Sequence, residues 1–219
     1  MDDELLLTVA RKCGLRGWLA SKGRLSTFEP RQNWTRGQDI WEECVRYAGE
    51  ILPGGNIPAD RNWIVLCGNY GTGKSHLSAG IVMETAMMGL PAMFVPWVEY
   101  LDAIRDSFNR DSPKGGNERG KREKTTAELM RTLMSPWLLA LDDLDKEPAS
   151  EWTQKILYKV LNHRYNECLP TVITLNHRLD SAEVAAIMLP AVLDRVLERM
   201  WKVLVFDGPS FRSGMVLTV

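Results

Sequence analysis

The chain has 219 residues, 45% of them hydrophobic and 25% charged, and a formal net charge of −1 at pH 7. Such values give room for one α/β domain with a short appendage and exclude any overall electrostatic pull toward nucleic acid or membrane. Cys13, Cys44, Cys67 and Cys168 show no CxxC spacing and only three histidines accompany them, which argues against a zinc site and for reduced thiols in a soluble, cytoplasmic protein.

The start, MDDELLLTVARK, is acidic where a signal peptide is basic, and no apolar run approaches the roughly 18 residues that cross a bilayer, so no membrane role is expected. Residues 1–27 form a short N-terminal segment whose Leu5, Leu6, Val9, Leu15, Trp18 and Leu19 suit a helix packed on the body or on a partner. From Trp34 to Leu52, Ile40, Trp41, Cys44, Val45, Ala48 and Ile51 recur at helical steps until Pro53-Gly54-Gly55.

Five apolar runs follow: WIVLC (63–67), AMFVP (92–96), WLLAL (137–141), TVITL (171–175) and KVLVF (202–206). Continuous apolarity predicts strands buried on both faces, and the helical stretches between them predict crossovers, hence a three-layer α/β fold with a mostly parallel five-stranded sheet. Residues 109–126 have the composition of a loop.

Gly68, Gly73, Lys74 and Ser75 match G-x-x-x-x-G-K-[ST] between a predicted strand and a predicted helix, the context a phosphate-binding loop requires. In such a loop the residues Gly68, Asn69, Tyr70, Gly71, Thr72, Gly73, Lys74, Ser75 and His76 would wrap the phosphates. Lys74 would reach the β and γ phosphates and Ser75 would place its hydroxyl on Mg²⁺. The predicted ligand is a nucleoside triphosphate with magnesium.

Asp142 and Asp143 end the third run, at the sheet edge where ligands of open α/β folds sit. Asp142 would hold Mg²⁺, and Asp143 would orient or deprotonate an attacking water; the plainer alternative is a pair of solvated loop acids, and Asp145 reads as one. Asn176 ends the fourth run and could hold the water or meet the γ-phosphate.

The ordered motifs GNYGTGKSHL, LLALDDLDKEPASEWTQKILYKVLNHRYNECLPTVITLNH and LDRVLERMWKVLVFDGPSFRS resemble the AAA+ ATPases of the DnaC/DnaI helicase-loader group and their IstB transposition relatives. The likeness spans roughly residues 28 to 213 and takes in STFEP and the run around Arg164 and Tyr165. It implies a P-loop NTPase fold of the AAA+/ASCE type over residues 28–219 with little or no C-terminal lid, ATP and Mg²⁺ as cofactors, and slow, oligomer-dependent hydrolysis. By the same likeness Lys74 and Ser75 fall on Walker A, Asp142 and Asp143 on Walker B, and Asn176 on sensor 1. Arg195 falls on the arginine finger that enters the neighbouring subunit's site, with Arg199 one turn away as its rival, and Arg212 falls on the sensor 2 arginine. Asp143 stands where many AAA+ proteins carry glutamate.

The partners implied are a DnaB-type replicative helicase, single-stranded DNA and further copies of the chain; the alternative is a nucleotide-dependent adaptor assembling on DNA, as in IstB-like transposition regulators. Between Arg105 and Lys124, seven basic residues face four acidic ones, as a DNA-contacting loop or a solvated connector would. Trp97, Tyr100 and Phe108 could stack on bases, although their spacing also suits a core-facing helix. The base of the nucleotide is expected near Phe28 and Asn33.

Overall fold

The computed structural model describes residues 2–111 and 124–212. Its five strands are β1 (Trp63–Gly68), β2 (Ala92–Pro96), β3 (Leu138–Asp142), β4 (Thr171–Leu175) and β5 (Met200–Phe206), in the spatial order β2-β3-β4-β1-β5. All four neighbouring pairs are parallel. Each strand falls on a predicted run; β3 is displaced by one residue, so that Asp142 lies within the strand rather than after it.

Alternate strand residues feed two cores, which is why the runs are continuously apolar. Ile64, Leu66, Phe94, Leu138, Ala140 and Val172 point to one face. Trp63, Val65, Val95, Leu139, Leu141 and Ile173 point to the other. The first face is covered by α1 (Asp3–Lys12), α2 (Gly17–Lys22), α3 (Gly37–Glu50) and α4 (Lys74–Met87). The second carries α5 (Trp97–Asp111), α6 (Thr126–Met134), α7 (Glu151–Asn166), α8 (Ala182–Ile187) and α9 (Pro190–Arg199).

Helix starts are set locally. Thr125 with Glu128, and Ser150 with Thr153, form reciprocal caps that satisfy the first N–H groups of α6 and α7. The N-terminal segment is continuous with the body: Leu6, Ala10, Cys13, Leu15, Ala20 and Leu25 join the first core. The Phe94 N–H donates to Cys13 O at 2.8 Å, so the turn after α1 covers the outer side of edge strand β2.

Arg164 ties α7 to the start of the sheet. It is wholly buried, and its guanidinium donates to Pro136 O, Trp137 O, Pro170 O and Thr171 Oγ1 at 2.6–3.0 Å.

Candidate nucleotide site

β1, β4 and β3 lie side by side, and the loops leaving their C-terminal ends meet at one edge of the sheet. β1 leads into the phosphate loop through Gly68, at φ +125°, where a Cβ would stand 2.3 Å from Phe206 O. Gly73, at φ +96°, immediately precedes α4 and lies under the Phe28 ring, 2.4 Å from where a Cβ would be. Glycine alone fits both places, and the chain can then aim successive N–H groups and the positive end of a 14-residue helix at an anion.

Lys74 is only 4% exposed, and its Nζ donates to Gly68 O at 2.8 Å and Asn69 O at 2.7 Å. Burial lowers its pKa, against the opposing pull of Asp143, Asp145 and Asp142. The lysine is therefore already stretched along the loop, with the acid cluster close by.

Asp142, at the end of β3, is buried and accepts from Thr174 Oγ1 at 2.7 Å and from the Ser75 hydroxyl. Burial first, and the neighbouring Asp143 second, push its pKa up to about 6. A buried carboxylate beside a hydroxyl at a helix N-terminus wants a counter-charge, and this hard oxygen pair fits Mg²⁺. Magnesium commonly takes one or two carboxylates and completes its shell with water and phosphate. No cluster of three or more His, Cys, Asp or Glu capable of holding a metal occurs among the described residues.

Asp143 has φ +54°, and its N–H donates to Thr174 Oγ1 at 2.8 Å, so Thr174 bridges the two acids. The Asp143 carboxylate accepts from Lys146 Nζ at 2.7 Å and from Asn176 Nδ2 at 3.1 Å. Asn176 thus belongs to the same network as the acid pair. Asp145, read from sequence as a solvated acid, is instead the centre of that network, with a side chain that is 0% exposed. It accepts from Asn176 N at 2.7 Å, His177 N at 2.8 Å and His177 Nδ1 at 2.8 Å through Oδ2, and from Asn176 Nδ2 at 3.2 Å through Oδ1.

Residues 207–212 run back over the loop. The Phe211 N–H donates to Gly71 O at 2.7 Å, and the side chains of Ser210 and Arg212 lie over Gly71. Phe28 meets His76 and Phe211 with ring centroids at 5.4 and 5.7 Å, and Arg31 covers Phe211 at 5.0 Å. Phe28 therefore stands beside the phosphate loop, whereas Asn33 is a solvent-exposed neighbour of Trp34. His76 adds a link of its own, from α4 to Arg24 O at 2.9 Å and Thr27 Oγ1 at 3.1 Å.

Arg195 and Arg199 separate clearly. Arg199 is 9% exposed, donates to Tyr165 O at 2.9 Å and stacks 4.4 Å above the Tyr165 ring. Arg195 is half-buried, donates to Ala191 O of its own helix and lies 5.5 Å from both the Tyr158 and Tyr165 rings. Neither has a partner in the phosphate loop of its own chain.

Of the three aromatics proposed for stacking, Trp97 is buried and the Tyr100 hydroxyl donates to Leu129 O. Phe108 is 47% exposed, with its ring 6.4 Å from Trp152, over which Arg105 lies at 5.0 Å. Residues 112–123, most of the basic segment, lie outside the described residues.

A glycine loop between a buried strand and a helix, with acids and an asparagine on the two neighbouring strand ends, on this sheet order, defines a P-loop nucleotide-binding protein of the AAA+ type. The chain belongs to the IstB-like ATP-binding protein family, which it matches over residues 56–215. It is 24% identical over 161 residues to the replicative helicase loader DnaC of Escherichia coli K12, covering 73% of this chain and 58% of that protein. It is also 28% identical over 156 residues to an IS21-like putative ATP-binding protein of Bacteroides fragilis, covering 68% of this chain and 52% of the relative. The chain thus spans about half the length of these curated relatives. The crystal structure of the DnaC helicase loader superposes with a TM-score of 0.64 at 18% identity, over 84% of this chain and 97% of that one.

Proposed function

We propose that the chain is an ATP-hydrolysing assembly factor of DNA replication, a helicase loader that binds ATP and Mg²⁺, gathers on single-stranded DNA and acts on a replicative helicase. The observation that carries this reading is the hydrogen-bonded network that joins Asp142, Asp143 and Asn176 beside the phosphate loop. It stands in a chain similar over 161 residues to a replicative helicase loader.

In this reading Gly68 to His76 cradle the triphosphate, and Lys74 is drawn to the β and γ phosphates. Bound at Ser75 and Asp142, magnesium would neutralise charge on the phosphate oxygens. Asp143 accepts a proton from, or orients, the attacking water, and Asn176 holds that water against it. Arg212 lies on the same chain's loop and steadies the γ-phosphate.

Arg195 is the finger offered to a neighbouring copy, a role that buried Arg199 is too committed to fill. A guanidinium delivered this way accelerates phosphoryl transfer by about 10³ to 10⁵. Single-stranded DNA is read through the exposed Phe108 ring, the half-buried Trp152 beside it and the Arg105 guanidinium over Trp152.

The test is ATP hydrolysis per protomer across protein concentration, with and without single-stranded DNA, for the wild type and Arg195→Ala. A rate that climbs with concentration, responds to DNA and collapses in the variant is expected; a flat rate indifferent to both refutes the shared site. The family match and the IS21-like relative favour a second reading, an ATP-dependent adaptor in transposition. Binding to a purified replicative helicase separates the two, being required by the first and absent in the second.

A further inference from the structure

Both carboxylate oxygens of Asp143 are engaged before any water reaches them. Oδ2 accepts from Lys146 Nζ at 2.7 Å, and Oδ1 accepts from Asn176 Nδ2 at 3.1 Å. The Asn176 amide is neutral and can hold a water against the acid. The ammonium is different, because it neutralises the charge that would draw a proton from that water. The turn that carries Lys146 is fixed: Asp143 takes φ +54°, the Lys146 N–H donates back to Asp143 O at 3.1 Å, and Leu144 is wholly buried. Its side chain is not fixed, being 53% exposed and tied to Asp143 alone among the described carboxylates. An ion pair this exposed is weak and easily traded for a denser negative charge.

The surroundings of the ammonium say where such a charge would stand. The bond to Asp143 raises the Lys146 pKa against partial burial, the charge of Asp142 adds to the rise, and that of Arg212 opposes it. Lys146 is therefore within electrostatic reach of the acid that accepts from Ser75 and of the arginine whose side chain lies over Gly71. Arg212 has no carboxylate partner among the described residues. Two cations that repel one another beside a phosphate loop, one after β3 and one after β5, are reconciled by an anion between them.

We propose that Lys146 is a latch on Asp143 that responds to the γ-phosphate. With the γ position empty, the lysine pairs with Asp143 and keeps it from acting on water. With a triphosphate bound, Lys146 crosses to the γ oxygens beside Arg212, and Asp143 is left to Asn176 and the water. The inference rests on the reading of Asp143 as the acid that handles the water. A diphosphate offers no γ oxygens, so Lys146 adds to the affinity for ATP and not for ADP. What it adds is reduced by the pair with Asp143 that must first break.

The test is calorimetric titration of the full chain with Mg²⁺ and either ADP or a non-hydrolysable β,γ-methylene analogue of ATP. It compares the wild type, Lys146→Gln, Asp143→Asn and the double variant. Lys146→Gln should weaken the triphosphate analogue at least about fivefold and leave ADP within about twofold, the steady ADP value showing that the site still folds. Asp143→Asn releases the lysine in advance and should tighten the triphosphate analogue about threefold, the worth of an exposed ion pair. That gain should disappear once Lys146→Gln is added. Equal losses for the two nucleotides in K146Q, or no loss for either, would overturn the latch. So would a D143N gain that is absent, or one that persists in the double variant and so reports plain repulsion between carboxylate and phosphate. A wild type that hydrolyses ATP while showing any of these results leaves the ATPase standing without the latch; a wild type that binds neither nucleotide refutes both.

Discussion

Asp145→Asn is the substitution that most directly tests how the site is built. The carboxylate accepts four hydrogen bonds, from Asn176 N, Asn176 Nδ2, His177 N and His177 Nδ1, and its side chain is shielded from solvent. An amide of the same shape can keep its oxygen toward the three donors at Oδ2, but its NH₂ then faces the Asn176 amide, donor against donor. Hydrogen bonds to a charged acceptor contribute about 1.5–3 kcal/mol and neutral ones about 0.5–1.5 kcal/mol, so each retained bond loses about 1 kcal/mol. The lost fourth bond adds about as much, for a total near 4 kcal/mol. In a chain of 219 residues that lowers the thermal midpoint by about 8–16 °C.

The same variant has a kinetic signature. Asp145 meets no reacting atom in the proposed mechanism; it positions Asn176, so D145N should lower kcat while ATP affinity stays near that of the wild type. Measured well below the lowered midpoint, D145N and N176A should each slow turnover, and the double variant should be little worse than either alone. A midpoint within about 2 °C of wild type, or losses that add to within about 0.5 kcal/mol, would show that Asp145 and Asn176 act separately and would refute the network.

Arg164→Lys should destabilise the fold by several kcal/mol, because one ammonium cannot serve the four acceptors that the buried guanidinium holds; chemical denaturation measures it. Although burial alone would raise the Glu43 pKa, its hydrogen bonds to Arg46 and Lys202 hold it below the usual carboxylate range. A depressed carboxylate adds stability above its unfolded pKa and loses it as pH falls through the folded value. Between neutral pH and about pH 3 the wild type should therefore lose more stability than Glu43→Gln, as urea midpoints would show. Phe108→Ala should weaken single-stranded DNA binding by about 1–3 kcal/mol, read by fluorescence anisotropy, whereas Tyr100→Phe should leave it unchanged.

The five strands were legible because burial on both faces leaves a mark that survives without tertiary context: Ile64 and Val65 serve different cores, yet both must be apolar. The phosphate loop was legible for a related reason. Gly68 and Gly73 occupy backbone conformations and close approaches that admit no other residue, so the sequence must show glycine there. Arg164 was legible only as part of a familiar run of letters. Its acceptors are mostly backbone carbonyls, which every residue carries, and no pattern of side chains announces them. Asp145 escaped notice because its burial follows from the turn after β3, where Asp143 takes φ +54° and swings the third acid inward beneath Asn176.

The pair Arg195 and Arg199 shows where the boundary falls. One helical turn apart on α9, they are equivalent by spacing, and a motif can place an arginine without saying where its side chain goes. Packing against α7 breaks the tie. The Tyr165 carbonyl and ring engage Arg199 and leave it 9% exposed, so moving it would break that side-chain hydrogen bond and open a buried contact. Arg195 is held by a carbonyl of its own helix and by two ring contacts at 5.5 Å, each replaceable by water. A finger must leave its resting contacts to reach a neighbour's phosphates, so the arginine with less to lose is the better finger. If Arg199→Ala abolished hydrolysis while the fold stayed intact and Arg195→Ala did not, that ordering of costs would be wrong.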